Sequence, residues 1–216
     1  MAYVGQIVAS VSEGLQYTLG LFAITIVLSM PLGLLLMFGR VGKNRLAKAL
    51  TSVLVWLLRG TPLLLQLYFF YFGLTFIPTI GKYLVMDRFT AACVAFVLNY
   101  AVYFCEIFRG GYLSVDKGQF EAAKVLGFSR SQTIRRIVIP QMLRVCLPAI
   151  SNESITLVKD TALVTAIGVT EILYFTKAAV NRDVNAFAYV VAAGMYLIMT
   201  YGLTALFKHL EKKYSF

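Results

Sequence analysis

Long apolar runs separated by short polar joints dominate the chain, and the length of those runs sets the first expectation. A helix needs roughly 20 residues to cross a hydrocarbon layer of about 30 Å. Five stretches reach that length, near residues 15–39, 60–80, 89–108, 143–166 and 186–207. An all-α polytopic membrane protein with five transmembrane helices is therefore expected. The residues up to Gly14 are weakly amphipathic and are expected to lie on the membrane surface. The first apolar run reads as a span rather than a cleaved leader, because no basic segment precedes it and it is too long.

Breaks in the pattern carry information. Pro31 sits within the first run, where a residue lacking an N–H should kink a helix. The second run opens with "RGTPLLLQLYFFYFGL", in which Thr61 caps and Pro62 fits the first turn of a helix. Alternatively, the helix begins upstream within "LTSVLVWLL", and Arg59 then lies inside the bundle. The fourth run holds Asn152, Glu153, Lys159 and Asp160. An ionised group at mid-membrane costs about 2.5–3.5 kcal/mol on insertion scales unless it meets a partner or a cavity. That run must face inward, and "TALVTAIGVTEILYF" after it is expected to bend or break before the fifth span. No repeat or flexible linker divides the sequence, so one domain over residues 1–216 is expected.

Composition sharpens this picture. Hydrophobic residues make up 59% of the chain, and mean hydropathy is +0.76. Twenty Lys+Arg stand against ten Asp+Glu, a balance that would suit nucleic acid were it not so unevenly placed. Fourteen of the twenty follow the first, third and fifth runs, among them Arg40, Arg109, Arg135, Arg136 and Lys208. The opposite side holds Lys82, Arg88, Lys177 and Arg182. By the positive-inside rule the N-terminus is outside and the C-terminus cytoplasmic, and nucleic acid is not an expected partner. Cys93, Cys105 and Cys146 lack C-x-x-C spacing and read as small buried hydrophobes, and the single histidine, His209, lies in the basic tail. No metal site is expected.

One stretch does not fit a membrane chain: "EAAKVLGFSRSQTIRRIVIP", residues 121–140. Asp116 and Gln119 have capping-box spacing, Glu121 favours the first turn, and Gly127 suits a left-handed helix end. Ser129 and Gln132 repeat the capping pattern, and Pro140 follows a second short helix. The residues by themselves allow a hairpin lying on lipid headgroups or a docking element. In the docking reading Ala122 and Ala123 permit close approach, and Phe120 and Leu126 serve as anchors. The order of the letters favours docking. Glu-Ala-Ala, three residues, Gly, nine residues, then Ile-x-Ile-Pro resembles the E-A-A…G…I-x-L-P signature of ABC importer permeases, with Ile139 in place of the usual leucine.

The resemblance implies a type I ABC importer permease fold in which segment 116–140 is a cytoplasmic coupling helix. Glu121, Ala122, Ala123 and Gly127 would dock on the ATPase, and Ile137 and Pro140 would fix the return into the fourth span. "YFCEIFRGGYLSVDKGQFEAAKVLG", "RGTPLLLQLYFFYFGL" and "ESITLVKDTALVTAIGVTEI" also resemble the polar amino acid permeases of the histidine/glutamine/arginine uptake group, with Ala162 where serine is common. That implies a bacterial cytoplasmic (inner) membrane location. It also implies a cytosolic ABC ATPase dimer, a second permease copy in a homodimer or heterodimer, and an extracytoplasmic amino-acid-binding protein. No P-loop G-x-x-x-x-G-K-[S/T] occurs, so no cofactor is expected in this chain, and ATP would be bound by the partner.

Substrate chemistry is read from the fourth run. Glu153 and Asp160 are seven residues apart, hence on nearly one helix face and about 10.5 Å apart along the axis. Two inward carboxylates suit a basic amino acid such as arginine, lysine or histidine, because guanidinium pairs bidentately with carboxylate. Asn152, Ser154 and Thr156 add hydrogen-bonding groups, and Asn99, Tyr100 and Tyr103 either line the same cavity or bridge helices. The alternative for Asp160 is that it neutralises Lys159 or a residue on a neighbouring span, and Glu106 with Arg109 reads as a structural ion pair. The alternatives are a permease for glutamine or another polar amino acid, with selectivity set by the binding protein, or an ATP-independent secondary transporter. An intramembrane enzyme finds no catalytic dyad here.

Overall fold

The computed structural model describes residues 2–214, and every regular element among them is helical. Helices α1 (Ala2–Ser12) and α2 (Leu15–Val41) are joined by a two-residue turn. They are followed by α3 (Arg45–Arg59), α4 (Leu63–Tyr71), α5 (Arg88–Ser114), α6 (Lys117–Val125) and α7 (Arg130–Thr133). The chain ends with α8 (Ile139–Asp160), α9 (Ile172–Asp183) and α10 (Phe187–Tyr214). Three helical stretches, Tyr3–Val41, Arg88–Ser114 and Phe187–Tyr214, are long and apolar enough to cross a membrane unaided. Two bent pairs, α3 with α4 at 103° and Arg130–Ile167 with α9 at 57°, raise the number to five.

Helix α5 is the centre. Ala91, Ala92, Ala95, Phe96, Phe104 and Phe108 are buried among its neighbours, and its N-terminus is capped by Asp87, which accepts from the N–H of Phe89 and Thr90. Those two donors hold the exposed Asp87 carboxyl below its ordinary range, led by the Thr90 hydroxyl that also bonds it. Small residues set how closely α5 is approached. A Cβ on Gly33 of α2 would lie 2.7 Å from Cβ of Phe104 and 2.8 Å from the Ala101 carbonyl oxygen. One on Gly111 would lie 2.3 Å from Sγ of Cys146 on α8. In a lipid medium, where burying apolar surface gives little advantage over lipid contact, such close backbone approach drives helix association.

Several expectations need correction. The N-terminal segment, expected on the membrane surface, also packs on the chain's own body: Ile7 and Val11 are wholly buried in a second cluster with Ile172, Ala179, Ala188 and Ala192 of α9 and α10. Gly14 permits this docking, since a Cβ there would fall 2.3 Å from the Glu171 carbonyl carbon. Pro31 lies inside α2 and Pro148 inside α8, and neither ends its helix, as a kink at Pro31 would also allow. The run at 60–80 is not one helix. It is α-helical only to Tyr71, followed by 3-10 turns at Gly73–Phe76 and Gly81–Tyr83.

The apolar length of the second crossing comes instead from α3, upstream of the proline. Thr61 caps nothing, and its hydroxyl donates back to the Leu57 carbonyl at 2.9 Å. The helix also does not stop at Pro140. A π-helical turn over Ile134–Val138, closed by the Ile139 N–H on the Ile134 carbonyl, leads straight into α8. Pro140, which has no N–H to donate, falls at this change of register, directly after the π turn.

Gly33→Leu should separate α2 from α5. Overpacking of this kind costs about 1–3 kcal/mol, and the purified protein is expected to melt several degrees lower. Gly194→Ala on α10, where a Cβ meets nothing within 4 Å, should leave the melting temperature unchanged or slightly raised.

Candidate functional site

The break between α3 and α4 is where the site begins. In a continuous helix the residue at position 62 would donate to the Leu58 carbonyl, and proline has no N–H to give. Gly60 ends α3, its N–H bonding the Trp56 carbonyl at 2.9 Å. The orphaned Leu58 carbonyl is taken by Gln66 Nε2 at 2.7 Å, which also reaches the Thr61 carbonyl at 3.1 Å and the Thr61 hydroxyl at 2.9 Å. Asn99 of α5 completes the repair, its Nδ2 donating to Gln66 Oε1 at 3.1 Å and to the Leu58 carbonyl at 3.4 Å. An irregular backbone inside an apolar layer survives only with such internal partners.

Opposite the break stands α8. Glu153, Thr156 and Asp160 line a cavity of about 470 Å³ together with Arg59, Gly60, Thr61, Pro62 and Leu63 from the break and Asn99, Tyr100 and Tyr103 from α5. That volume falls in the range of small-molecule sites, about 300–1,000 Å³. Five of the six residues proposed from sequence for substrate meet here; Asn152 does not line the cavity, being a single residue off the Glu153 face and exposed. Ser154 also points elsewhere, its hydroxyl donating to the Ile150 carbonyl at 2.7 Å on the side of an apolar groove.

Within the cavity the residues differ in commitment. The Tyr100 hydroxyl donates to Asp160 Oδ2 at 2.7 Å, so Asp160 is held by α5 rather than by Lys159, which is exposed. Asn99 is buried and occupied by the repair of the break. Glu153 makes no ion pair within 4 Å among the described residues.

Arg59 borders both this cavity and a second charged cluster. Glu106 accepts from Arg109 Nη2 at 2.9 Å and Nε at 3.2 Å, pairs closely with Arg40 of α2, and lies 3.8 Å from Arg59 Nη1. The ion pair expected of Glu106 and Arg109 is therefore the core of a larger cluster that joins α2, α3 and α5. Its extra members were not legible in sequence, because Arg40 lies 66 positions from Glu106. A second residue escaped notice: Glu171, fully buried, accepts from the hydroxyls of Thr165 and Tyr196 and from the Tyr174 N–H. Its position inside "VTEIL" was the available signal, a lone acid between apolar residues.

At the opposite end from Glu171, α6 is capped by Asp116, which accepts from the Gly118 N–H at 2.7 Å, and the Ser129–Gln132 capping box is complete. Gly127 has φ +77°, the left-handed conformation expected of it. The faces of α6 differ. Ala123 is buried, and Phe120 packs edge-on against Tyr112 of α5 at 6.0 Å, so both turn toward the chain's own body. Glu121, Ala122, Leu126 and Gly127 are exposed, as is Val125, which is 87% exposed and was not singled out in the sequence.

Helices bent around an inner cavity, with a polar hairpin projecting from one end, define a transporter's membrane subunit. The chain belongs to the family of binding-protein-dependent transport system inner membrane components, whose model matches residues 29–216. It is 37% identical to the L-cystine transport system permease of Bacillus subtilis (strain 168), over 94% of this chain and 85% of the relative. It is 40% identical to the octopine transport system permease of Rhizobium radiobacter, over 86% and 79%, and 35% identical to the glutamine transport system permease of Escherichia coli (strain K12), over 93% and 91%. A crystal structure of an amino acid ABC transporter with histidines superposes with a TM-score of 0.87 at 29% identity, over 98% of this chain and 97% of that one. This is the permease subunit of an amino acid ABC importer with the type I importer fold, and ATP hydrolysis resides in a separate subunit.

Glu106→Gln would leave three guanidinium groups without their carboxylate. Stripping a fully buried charge of its partner costs about 3–5 kcal/mol, and the partial exposure here reduces that to roughly 1–3 kcal/mol. Thermal unfolding of the purified transporter should show a fall of several degrees, larger at low ionic strength than at high.

Proposed function

We propose that this permease carries basic amino acids, arginine, lysine or histidine, through the cavity between the α3–α4 break, α5 and α8. The observation that carries the reading is that Glu153 and Asp160 open on one cavity with only one cation, Arg59, in its lining. Two carboxylates there favour a ligand bearing two positive groups, an α-ammonium and a charged side chain, and disfavour an acidic one. Thr156 adds a hydroxyl, and Tyr103 an aromatic wall. Substrate reaches the cavity from an extracytoplasmic binding protein. Access alternates as the ATPase opens and closes against the exposed side of α6.

Glu121, Ala122, Leu126 and Gly127, with Val125, form the ATPase-facing surface in this reading. Ala123 and Phe120 serve it indirectly, by seating α6 on α5. The importer holds two permeases, this chain twice or this chain with a sister. The N-terminus lies outside, supported by the concentration of Lys and Arg after α2, α5 and α10. A second reading, glutamine or another polar amino acid with selectivity set by the binding protein, is favoured by the relatives named for glutamine and cystine.

Uptake of labelled arginine and glutamine into proteoliposomes holding this chain, its ATPase and its binding protein separates the two. For Glu153→Gln, arginine uptake is expected to fall at least tenfold while assembly survives. Unchanged uptake would assign selectivity to the binding protein and make Glu153 structural. Gly127→Leu should weaken ATPase co-purification. A side chain at φ +77° costs about 1–2 kcal/mol of backbone strain, and the turn beside the exposed face would shift.

A further inference from the structure

Every α-amino acid brings a carboxylate into a cavity already holding Glu153 and Asp160. Without a cation to receive it, that carboxylate would be repelled by the groups that attract the rest of the molecule. Among the described residues, Arg59 is the one cationic side chain lining the cavity. We propose that Arg59 receives the substrate's α-carboxylate and so makes the site selective for intact amino acids over their decarboxylated amines. This rests on the cavity being the substrate site.

The geometry leaves Arg59 available. Of the three arginines around Glu106 its side chain is the most open, at 43% exposure against 22% for Arg40 and 36% for Arg109. Glu106 is already occupied, with one oxygen on Arg40 and the other on Arg109. Arg59 Nη1 stays 3.8 Å away, outside hydrogen-bond reach, and its guanidinium makes no hydrogen bond to any described residue. A planar group with five donors and no acceptor, facing a cavity, is poised for a bidentate carboxylate. Its plane is steadied by the Tyr103 ring, 5.2 Å from the guanidinium carbon. The Coulomb field of Glu106 holds the arginine at the cavity edge without using its donors.

The position of Arg59 in the fold supports the same role. It is the last residue of α3, next to the 103° bend, and the bend residues Gly60, Thr61, Pro62 and Leu63 line the same cavity. Ligand and site then match group for group: one carboxylate on Arg59, and two cationic groups shared between Glu153 and Asp160. Lysine at position 59 would keep the charge but lose the fork that fits both carboxylate oxygens.

The test is equilibrium binding, by titration calorimetry, of arginine, agmatine and citrulline to the purified permease–ATPase complex without binding protein. Agmatine lacks the α-carboxylate, and citrulline lacks the side-chain charge. Wild type is expected to bind arginine roughly 10- to 100-fold more tightly than agmatine, the range of a charge-assisted pair. Arg59→Gln should bring arginine down to the level of agmatine and leave agmatine unchanged or improved, and Arg59→Lys should fall between.

Undiminished arginine binding in Arg59→Gln, with melting temperature and ATPase association retained, overturns the proposal. If citrulline equals arginine in wild type and both weaken in Arg59→Gln, Arg59 stands while the preference for basic substrates fails. Agmatine and arginine binding equally to wild type, or no binding of any of the three, overturns the role of Arg59; the latter also removes the cavity as a substrate site.

Discussion

An apolar layer does not solvate charge, so the ionised groups of this chain are gathered where they neutralise one another or face a cavity. The largest gathering is around Glu106. Its two oxygens tie Arg40 on α2 and Arg109 on α5, with Arg59 at the end of α3 close by. The consecutive helices α2 and α3 are thereby pinned to α5 near one end of the bundle. The Gly33 contact lets α2 approach α5 closely, and Arg40 of α2 meets Glu106 of α5. Remove the carboxylate and the same helices would carry three mutually repelling cations.

From that anchored end the cavity follows. Pro62 ends α3 and turns α4 away by 103°, and the polar groups released by the break are met by Gln66 and Asn99 instead of water. The break leaves space beside α5, which α8 fills with Glu153 and Asp160, the latter fastened by Tyr100. Asn99 is thus a supporting residue for a site it also borders. The division of labour is physical: side chains whose donors are consumed by backbone repair hold the shape, and those with open donors or acceptors face the space.

The polar hairpin obeys a different medium. Its caps, the Asp116 and Ser129 side chains, are those of helices in water, yet Phe120 packs on Tyr112 of α5 and Ala123 is buried. Because the π turn carries α7 into α8 without a stop, a push on α6 and α7 would be transmitted along the helix that bears Glu153. Helix α8 therefore joins the exposed hairpin to the cavity by continuous helix.

Apolar run length, the cavity-facing carboxylates of α8, the caps of the hairpin and the left-handed glycine at 127 were all legible in the sequence. Each depends on residues within a few positions of one another. Glu153 and Asp160 were placed on one face by helical periodicity, and Gly127 by its freedom from a Cβ. The structure alone decided which residues meet across distance. It set the Arg40 and Arg59 partners of Glu106, the second crossing's use of α3 in place of residues 72–80, the docking of α1, the burial of Glu171, and the turning of Ala123 and Phe120 inward. The reason is the same in each case. A helix face is specified by local spacing, but what that face packs against is chosen by the whole bundle, where small side chains set the approach and every buried charge must find its counterpart.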